Sequence, residues 1–302
     1  MMIQTPTATS APDLLGEPEV DRRVRARARL SDFVRRKSLL VGGALLLLIL
    51  VLVIGAPLFT GYDPTAQDPN AILQRPSPSH LMGTDQLGRD IFARVLYGGR
   101  YTLLASGLAV LIGALLGTGL GLLAGFFGGL VENASMRLVD FLLAFPGILL
   151  ALAITTILGP GLGSAIIAIG ISSIPTYGRV IHGVTLQART LTYVEAATAL
   201  GVSTPRLLRR HILPNVFLQV VVLTTTGLGI ATLWVAALGF LGLGLQPPTP
   251  EWGAILNDGR DYVTMAWWVS LFPGLLISLY VIGVNLVGDG LHESVDPTAS
   301  RM

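Results

Sequence analysis

Six stretches of this chain each hold about 20 apolar residues with few charges among them, and no other feature narrows the possible folds as far. A helix rises ~1.5 Å per residue, so about 20 residues cross a ~30 Å hydrocarbon core. The stretches lie near 39–59, 101–126, 138–158, 162–182, 216–243 and 268–288. The 302 residues are 52% hydrophobic and 13% charged, with a mean hydropathy of +0.68. That is too few charges to coat a soluble core of this length. An all-α polytopic membrane protein with six transmembrane helices is expected.

The basic residues set the orientation. Nineteen of the twenty are Arg, the single Lys being Lys37, and eight of them crowd residues 22–37 ahead of the first span. A nucleic-acid arm could carry such a cluster, but its place beside a span favours anchoring on anionic lipid at the cytoplasmic face, with no nucleic-acid partner. The first apolar stretch follows a long basic region and has no small-residue cleavage site behind it, so it reads as an uncleaved signal anchor. With the N-terminus inside, inner segments hold fifteen basic residues and outer segments five, which places both termini in the cytoplasm. The expected parts are a cytoplasmic basic segment 1–38, whose first 20 residues have a disorder-prone composition, a first transmembrane helix 39–59 and an extracytoplasmic segment 60–100. A five-helix membrane domain 101–290, with its largest inner loop at 183–215, and a cytoplasmic tail 291–302 complete the chain.

Catalytic chemistry finds little support. There is no Cys, hence no disulfide, thiolate or Cys-based metal site. Asp140 and Asp289 sit at inner ends of spans, and no Asp, Glu or His falls in the middle of one, which argues against proton coupling. A Walker A loop needs a Lys behind a glycine-rich turn, and Lys37 stands between Arg36 and Ser38. His292-Glu293 opens like a zinc-protease helix, but position 296 is Asp, so the second ligand and the metal site are missing. Gly161-Leu162-Gly163-Ser164 resembles a serine nucleophile turn only loosely, and no His in the spans could serve as its base.

Two features within the spans concern packing or a pore. Gly113, Gly117, Gly121 and Gly125 recur every four residues, a stripe that lets another backbone approach closely, within this chain or from a second subunit. Thr224, Thr225 and Thr226 could line a pore or serve helix packing through their hydroxyls.

The inner loop carries the most information. Thr192 and Glu195 have capping-box spacing, which predicts a short helix from Tyr193, and Gly201 is placed to end it in the left-handed conformation. Thr204 then caps a second helix with Pro205 at its first position, and Pro214 ends it before the fifth span. By itself this is compatible with an inert connector. The string Glu195-Ala196-Ala197, Gly201, Leu213-Pro214, however, resembles the EAA loop of binding-protein-dependent ABC importer permeases. His211 stands where the general pattern has Ile, and Arg210-His211-Ile212-Leu213-Pro214-Asn215 resembles the peptide-permease branch.

Other stretches extend the likeness to C-type dipeptide/oligopeptide permease subunits. They are Gly83-Thr84-Asp85 with Gly88-Arg89-Asp90 and Arg94, Pro247-Pro248 with Pro250-Glu251-Trp252-Gly253, Trp267-Trp268, and Gly288-Asp289-Gly290-Leu291 with Asp296-Pro297. Thr298 departs from the basic residue usual after that Pro. The Asp85–Arg89 and Asp90–Arg94 spacings also suit a plain surface helix with weak ion pairs, and the Trp residues alone suit interfacial anchors.

The resemblance covers roughly residues 39–297 and implies the type I importer permease fold in a bacterial or archaeal inner membrane. It implies a coupling helix around Glu195, Ala196, Ala197 and Gly201 that docks on an ATPase. It also implies a second homologous permease subunit, ATPase subunits that hold ATP-Mg, an extracytoplasmic solute-binding protein, and no cofactor on this chain. Peptides are the expected cargo; nickel chelates, glutathione or another small solute are the alternative, and a non-transport scaffold is the reading outside transport.

Overall fold

The computed structural model describes residues 37–295, so the expectations for the basic segment 1–36 and for Asp296-Pro297-Thr298 lie outside it. Among the described residues all regular structure is helical apart from one antiparallel bridge, Thr84 to Asp90. The long helices are α1 (Lys37–Ile54), α3 (Ile91–Phe127), α6 (Leu162–Arg189), α9 (Leu213–Phe240) and α11 (Trp268–Val295). Short ones are α2 (Ala56–Phe59), α4 (Gly129–Leu143), α5 (Gly147–Leu158), α7 (Thr192–Ala199), α8 (Thr204–Leu207) and α10 (Trp252–Gly259).

Among the described residues five helices are long and apolar enough to cross a membrane, and the pair α4 and α5, bent by 89°, passes the same test as a broken span or a re-entrant pair. The continuous third helix expected near 138–158 is therefore broken. Pro146 sits at the entry of α5 with ψ 126°, and proline also disfavours a helical Phe145, so the first helix stops there. Two other spans outrun expectation. α3 starts ten residues before position 101, and α6 continues to Arg189, which shortens the loop expected at 183–215.

Small residues hold the helices together. All four glycines of the stripe face α6: a Cβ on Gly117 would lie 2.5 Å from the Ile174 carbonyl, and one on Gly121 2.5 Å from that of Gly178. Real Cβ atoms do not come so close, so the approach of α3 to α6 requires glycine there. Where lipid offers no hydrophobic drive, such close packing supplies the association energy. The same device joins α1 to α11, where a Cβ on Gly42 would meet Leu286 at 2.7 Å. Ala109, Ile169, Tyr177 and Val235 are among the residues at the centre of the bundle, contributed by α3, α6 and α9.

Candidate functional site

Two regions at opposite ends of the bundle carry the motifs: an elbow formed by α7 and α8, and a cap formed by residues 60–90 with 246–267.

In the elbow, α7 begins at Thr192, one residue earlier than the capping-box spacing predicts. Leu191, extended at ψ 130°, is its N-cap, and no side chain caps the helix. The chain leaving α6 has only Thr190 and Leu191 to turn with, and the Thr190 hydroxyl is spent on the Gln187 carbonyl. The end of α7 follows the sequence reading closely. Gly201 has φ +76°, its N–H donates to the Thr198 carbonyl, and the Val202 N–H reaches back to that of Ala197. This is a Schellman ending, which glycine adopts without a Cβ penalty.

The second short helix also starts earlier: Ser203 is the N-cap, and Pro205 lies in the first turn of α8. Pro214 does not end it. A π-helical turn over Leu208–Ile212 carries the chain from α8 into α9, with the Leu213 N–H donating five residues back to Leu208. The wider turn accommodates the missing N–H of Pro214, which lies in the first turn of α9. Residues 204–240 thus form one lever from elbow to bundle.

The structure divides the predicted coupling residues. Ala197 is buried with Val194, Leu207, Ile212 and Val216 in a cluster that ties the elbow to α6 through Ile181 and Ala188. Glu195 and Ala196 point outward, Leu200 is 84% exposed, and a Cβ on Gly201 would meet nothing within 4 Å. Leu213 and Pro214 are exposed at the start of α9. Behind the elbow a groove of about 740 Å³ is lined by Arg189, Glu195 and Thr198, among others.

A second groove, of about 920 Å³, lies between α3 and α9. Leu104, Leu111, Leu115 and Phe217 line it together with Thr224 and Thr225, Thr226 lies outside it, and both Thr225 and Thr226 approach Gly288 of α11. The hydroxyls of Thr225 and Thr226 both donate to the Val222 carbonyl of their own helix, leaving an apolar wall.

The cap overturns the surface-helix reading of its charges. Asp85, Arg89, Asp90 and Arg94 are all buried. The Arg89 Nε donates to Asp85 Oδ2 at 2.6 Å, and Asp258, from 169 residues away, accepts from Arg89 at 2.9 Å and Arg94 at 3.0 Å. Asp90 makes no ion pair with Arg94; it caps α3 by accepting from the Ala93 N–H at 2.7 Å and faces the His80 Nδ1 at 2.8 Å. Two of the Trp residues are also inside. The Trp252 indole donates to the Val95 carbonyl at 2.8 Å and that of Trp268 to the Thr84 carbonyl at 3.1 Å, while Trp267 remains half exposed.

Glu251 is a residue whose place no local spacing signals. Its buried carboxylate caps α10, accepting from the Gly253 and Ala254 N–H groups at 2.9 and 3.0 Å and from the Thr102 hydroxyl at 3.0 Å. Burial pushes its pKa above the ordinary carboxylate range, against the pull of those hydrogen bonds. Asp140 and Arg179, both outward-facing, pair across α4 and α6. No group of three or more His, Cys, Asp or Glu suited to a metal ion occurs among the described residues.

Comparison with known proteins agrees with this architecture. Residues 117–301 match the family model for the binding-protein-dependent transport system inner membrane component. Residues 27–76 match the N-terminal TM domain of oligopeptide transport permease C. The dipeptide transport system permease protein of Alkalihalophilus pseudofirmus is 42% identical over 271 residues, covering 90% of this chain and 89% of that one. The glutathione transport system permease protein of Escherichia coli O1:K1 / APEC is 45% identical over 265 residues, covering 87% and 88%. Among solved structures, the MetNI methionine ABC transporter in inward-facing conformations shares the fold with a TM-score of 0.54 at 22% identity, over 67% of this chain and 96% of that one. With the family model spanning more than half of it and relatives matched nearly end to end, the chain belongs to the binding-protein-dependent transport system inner-membrane components, as a C-type ABC importer permease of the inner membrane.

Proposed function

We propose that this permease forms half of a translocation pathway for di- and oligopeptides and takes its motion from a separate ATPase through the α7–α8 elbow. The observation that carries the reading is the elbow's construction. Its outer surface offers small Ala196 and open Gly201, while its inner surface, through Ala197, Val194 and Ile212, is packed onto α6 and α9. A partner pushing on the outer surface would move both helices, because packed interiors transmit displacement rather than absorb it. The π turn makes the elbow continuous with α9, so a rocking motion suits alternating access.

In this reading the elbow and both termini face the cytoplasm, and the cap faces the solute-binding protein. A homologous permease supplies the other half of the pathway. ATP-Mg belongs to the ATPase subunits, because the only Lys, Lys37, opens α1 without a glycine-rich turn before it. Peptide cargo rests on the relatives named for dipeptide transport; those named for glutathione transport are equally similar, and that γ-linked tripeptide is the second reading.

The test is Gly201→Asp in the assembled transporter, with ATP hydrolysis and peptide uptake measured together in proteoliposomes. A Cβ at this position meets nothing within 4 Å, so the effect is assigned to the partner or to the left-handed backbone, which Asp tolerates better than most residues. Uptake is expected to fall at least tenfold while the chain still inserts, with hydrolysis uncoupled or the ATPase released. Unchanged uptake would overturn the coupling role.

A further inference from the structure

The broken third span exposes a group that hydrocarbon cannot accommodate. At 1.5 Å per residue, the 28-residue α6 is ~42 Å long and exceeds a ~30 Å core by about 12 Å. Arg179 lies 17 residues from its start, about 25 Å along. Wherever the core is placed on an upright α6, the Cα of Arg179 falls inside it, about 5 Å or more from the elbow-side boundary. Its partner Asp140 is tied to it by the ion pair, and the side chains of Arg179 and Asp140 are 61% and 59% exposed.

The main chain makes the same demand. The 89° bend between α4 and α5 interrupts the helical ladder within the span, and lipid-facing backbone with unpaired groups is not tolerated in hydrocarbon. Such breaks persist where they line water or lie buried in protein. Around the bend Phe141 and Phe145 are 62% and 48% exposed and stack edge to face at 5.7 Å, one helical turn apart on the Asp140 side. The large groove between α3 and α9 differs in kind: it is apolar, and its Thr225 hydroxyl bonds inward, a surface suited to lipid or another helix rather than to a hydrated solute.

We infer that Asp140, Phe141, Phe145 and Arg179 face the water-filled translocation path, with the two phenyl rings forming its constriction and the ion pair its polar wall. Opposite charges beside a constriction suit a zwitterionic solute, whose ammonium and carboxylate ends each find a counter-charge as water is stripped away. This rests on the importer reading and assigns it a gate.

The chain has no Cys, so a single introduced thiol reports without background. Phe141→Cys and Phe145→Cys would be compared with Leu47→Cys on α1, which is also 64% exposed but lies among apolar neighbours. The assembled transporter in proteoliposomes is treated with a charged, membrane-impermeant thiosulfonate, nucleotide-free and ATP-trapped. Thiolate forms only where water reaches, so residues 141 and 145 should be modified at least tenfold faster than 47 in one of the two states. Rates at 141 and 145 equal to that at 47 in both states would overturn the assignment, whether lipid or a second subunit covers the break. Retention of an ATPase is scored in the same preparation. A labelled break without any ATPase keeps the aqueous assignment and overturns the importer reading, whereas an ATPase with an unlabelled break does the reverse.

Discussion

The cap and the elbow are built from opposite uses of the same residue types. The cap turns its charges inward: Arg89 and Asp258 are joined across 169 residues of sequence, with Asp85 and Arg94 in the same cluster, and the buried Trp252 and Trp268 donate to the Val95 and Thr84 carbonyls. The elbow turns them outward, exposing Glu195, Arg209 and Arg210 over a small apolar base. A partner can displace the second arrangement without separating charges, whereas moving the halves of the cap apart would take Asp258 away from Arg89 and Arg94 and leave the two guanidinium groups with Asp85 alone. The contrast divides the molecule into a part built to hold shape and, in the proposed function, a part for a partner to grip.

The sharpest way to break that comparison is Asp258→Ala. It leaves Arg89 and Arg94 to share Asp85 as their counter-charge, and breaking a buried pair costs at most about 3–5 kcal/mol. A large loss of thermal stability in detergent is expected. Asp261→Ala, three residues on and paired with Arg260 at an exposed site, should change stability by less than about 1 kcal/mol. Equal effects of the two would contradict the picture of an inward-facing charge network.

Next comes the seam that both regions share. Gly117→Ala places a Cβ against the Ile174 carbonyl and Tyr177, and overpacking of this kind costs about 1–3 kcal/mol. Gly107→Ala on the same helix, with open space around it, should be neutral or slightly stabilising in a thermal melt.

Within the elbow, Gly201→Ala should cost only about 1–2 kcal/mol, the penalty of the left-handed backbone, since no neighbour obstructs the methyl group. Its effect on uptake should exceed its effect on the melt. A larger stability loss than coupling loss would place the elbow with the cap as a structural element.

The smallest effect is a pH dependence. Burial raises the pKa of Glu251 above its unfolded value, so the folded state keeps the proton to higher pH. The associated stability is present below the ordinary carboxylate range and is lost as pH rises through the folded value. Glu251→Gln should flatten that slope between acid and neutral pH, while losing the hydrogen bond that its second oxygen accepts from the Ala254 N–H.

Much of this division was legible locally. Apolar length located the membrane helices, and four-residue spacing put the glycine stripe on one face, though whether that face met this chain or another needed the structure. Gly201 was readable because a helix end leaves few alternatives to a left-handed residue. Features that depend on distant partners were not readable. Asp85 and Arg89 at i,i+4 look the same on a surface helix as in a buried cluster, and only Asp258 decides between them. Nor does a proline announce its effect: Pro146 helps break a span, whereas Pro214 sits inside a continuous lever because a π turn absorbs its missing N–H.

The central claim is that the elbow's outer surface meets the ATPase while the cap does not. The most direct measurement is crosslinking from a single introduced thiol, Ala196→Cys on the elbow against Gly61→Cys on the cap, using a thiol-tethered photoreactive group in the assembled complex. The account predicts an ATPase adduct from position 196 and none from position 61. An ATPase that co-purifies with the chain but forms no adduct at 196, or forms equal adducts at both positions, would contradict it.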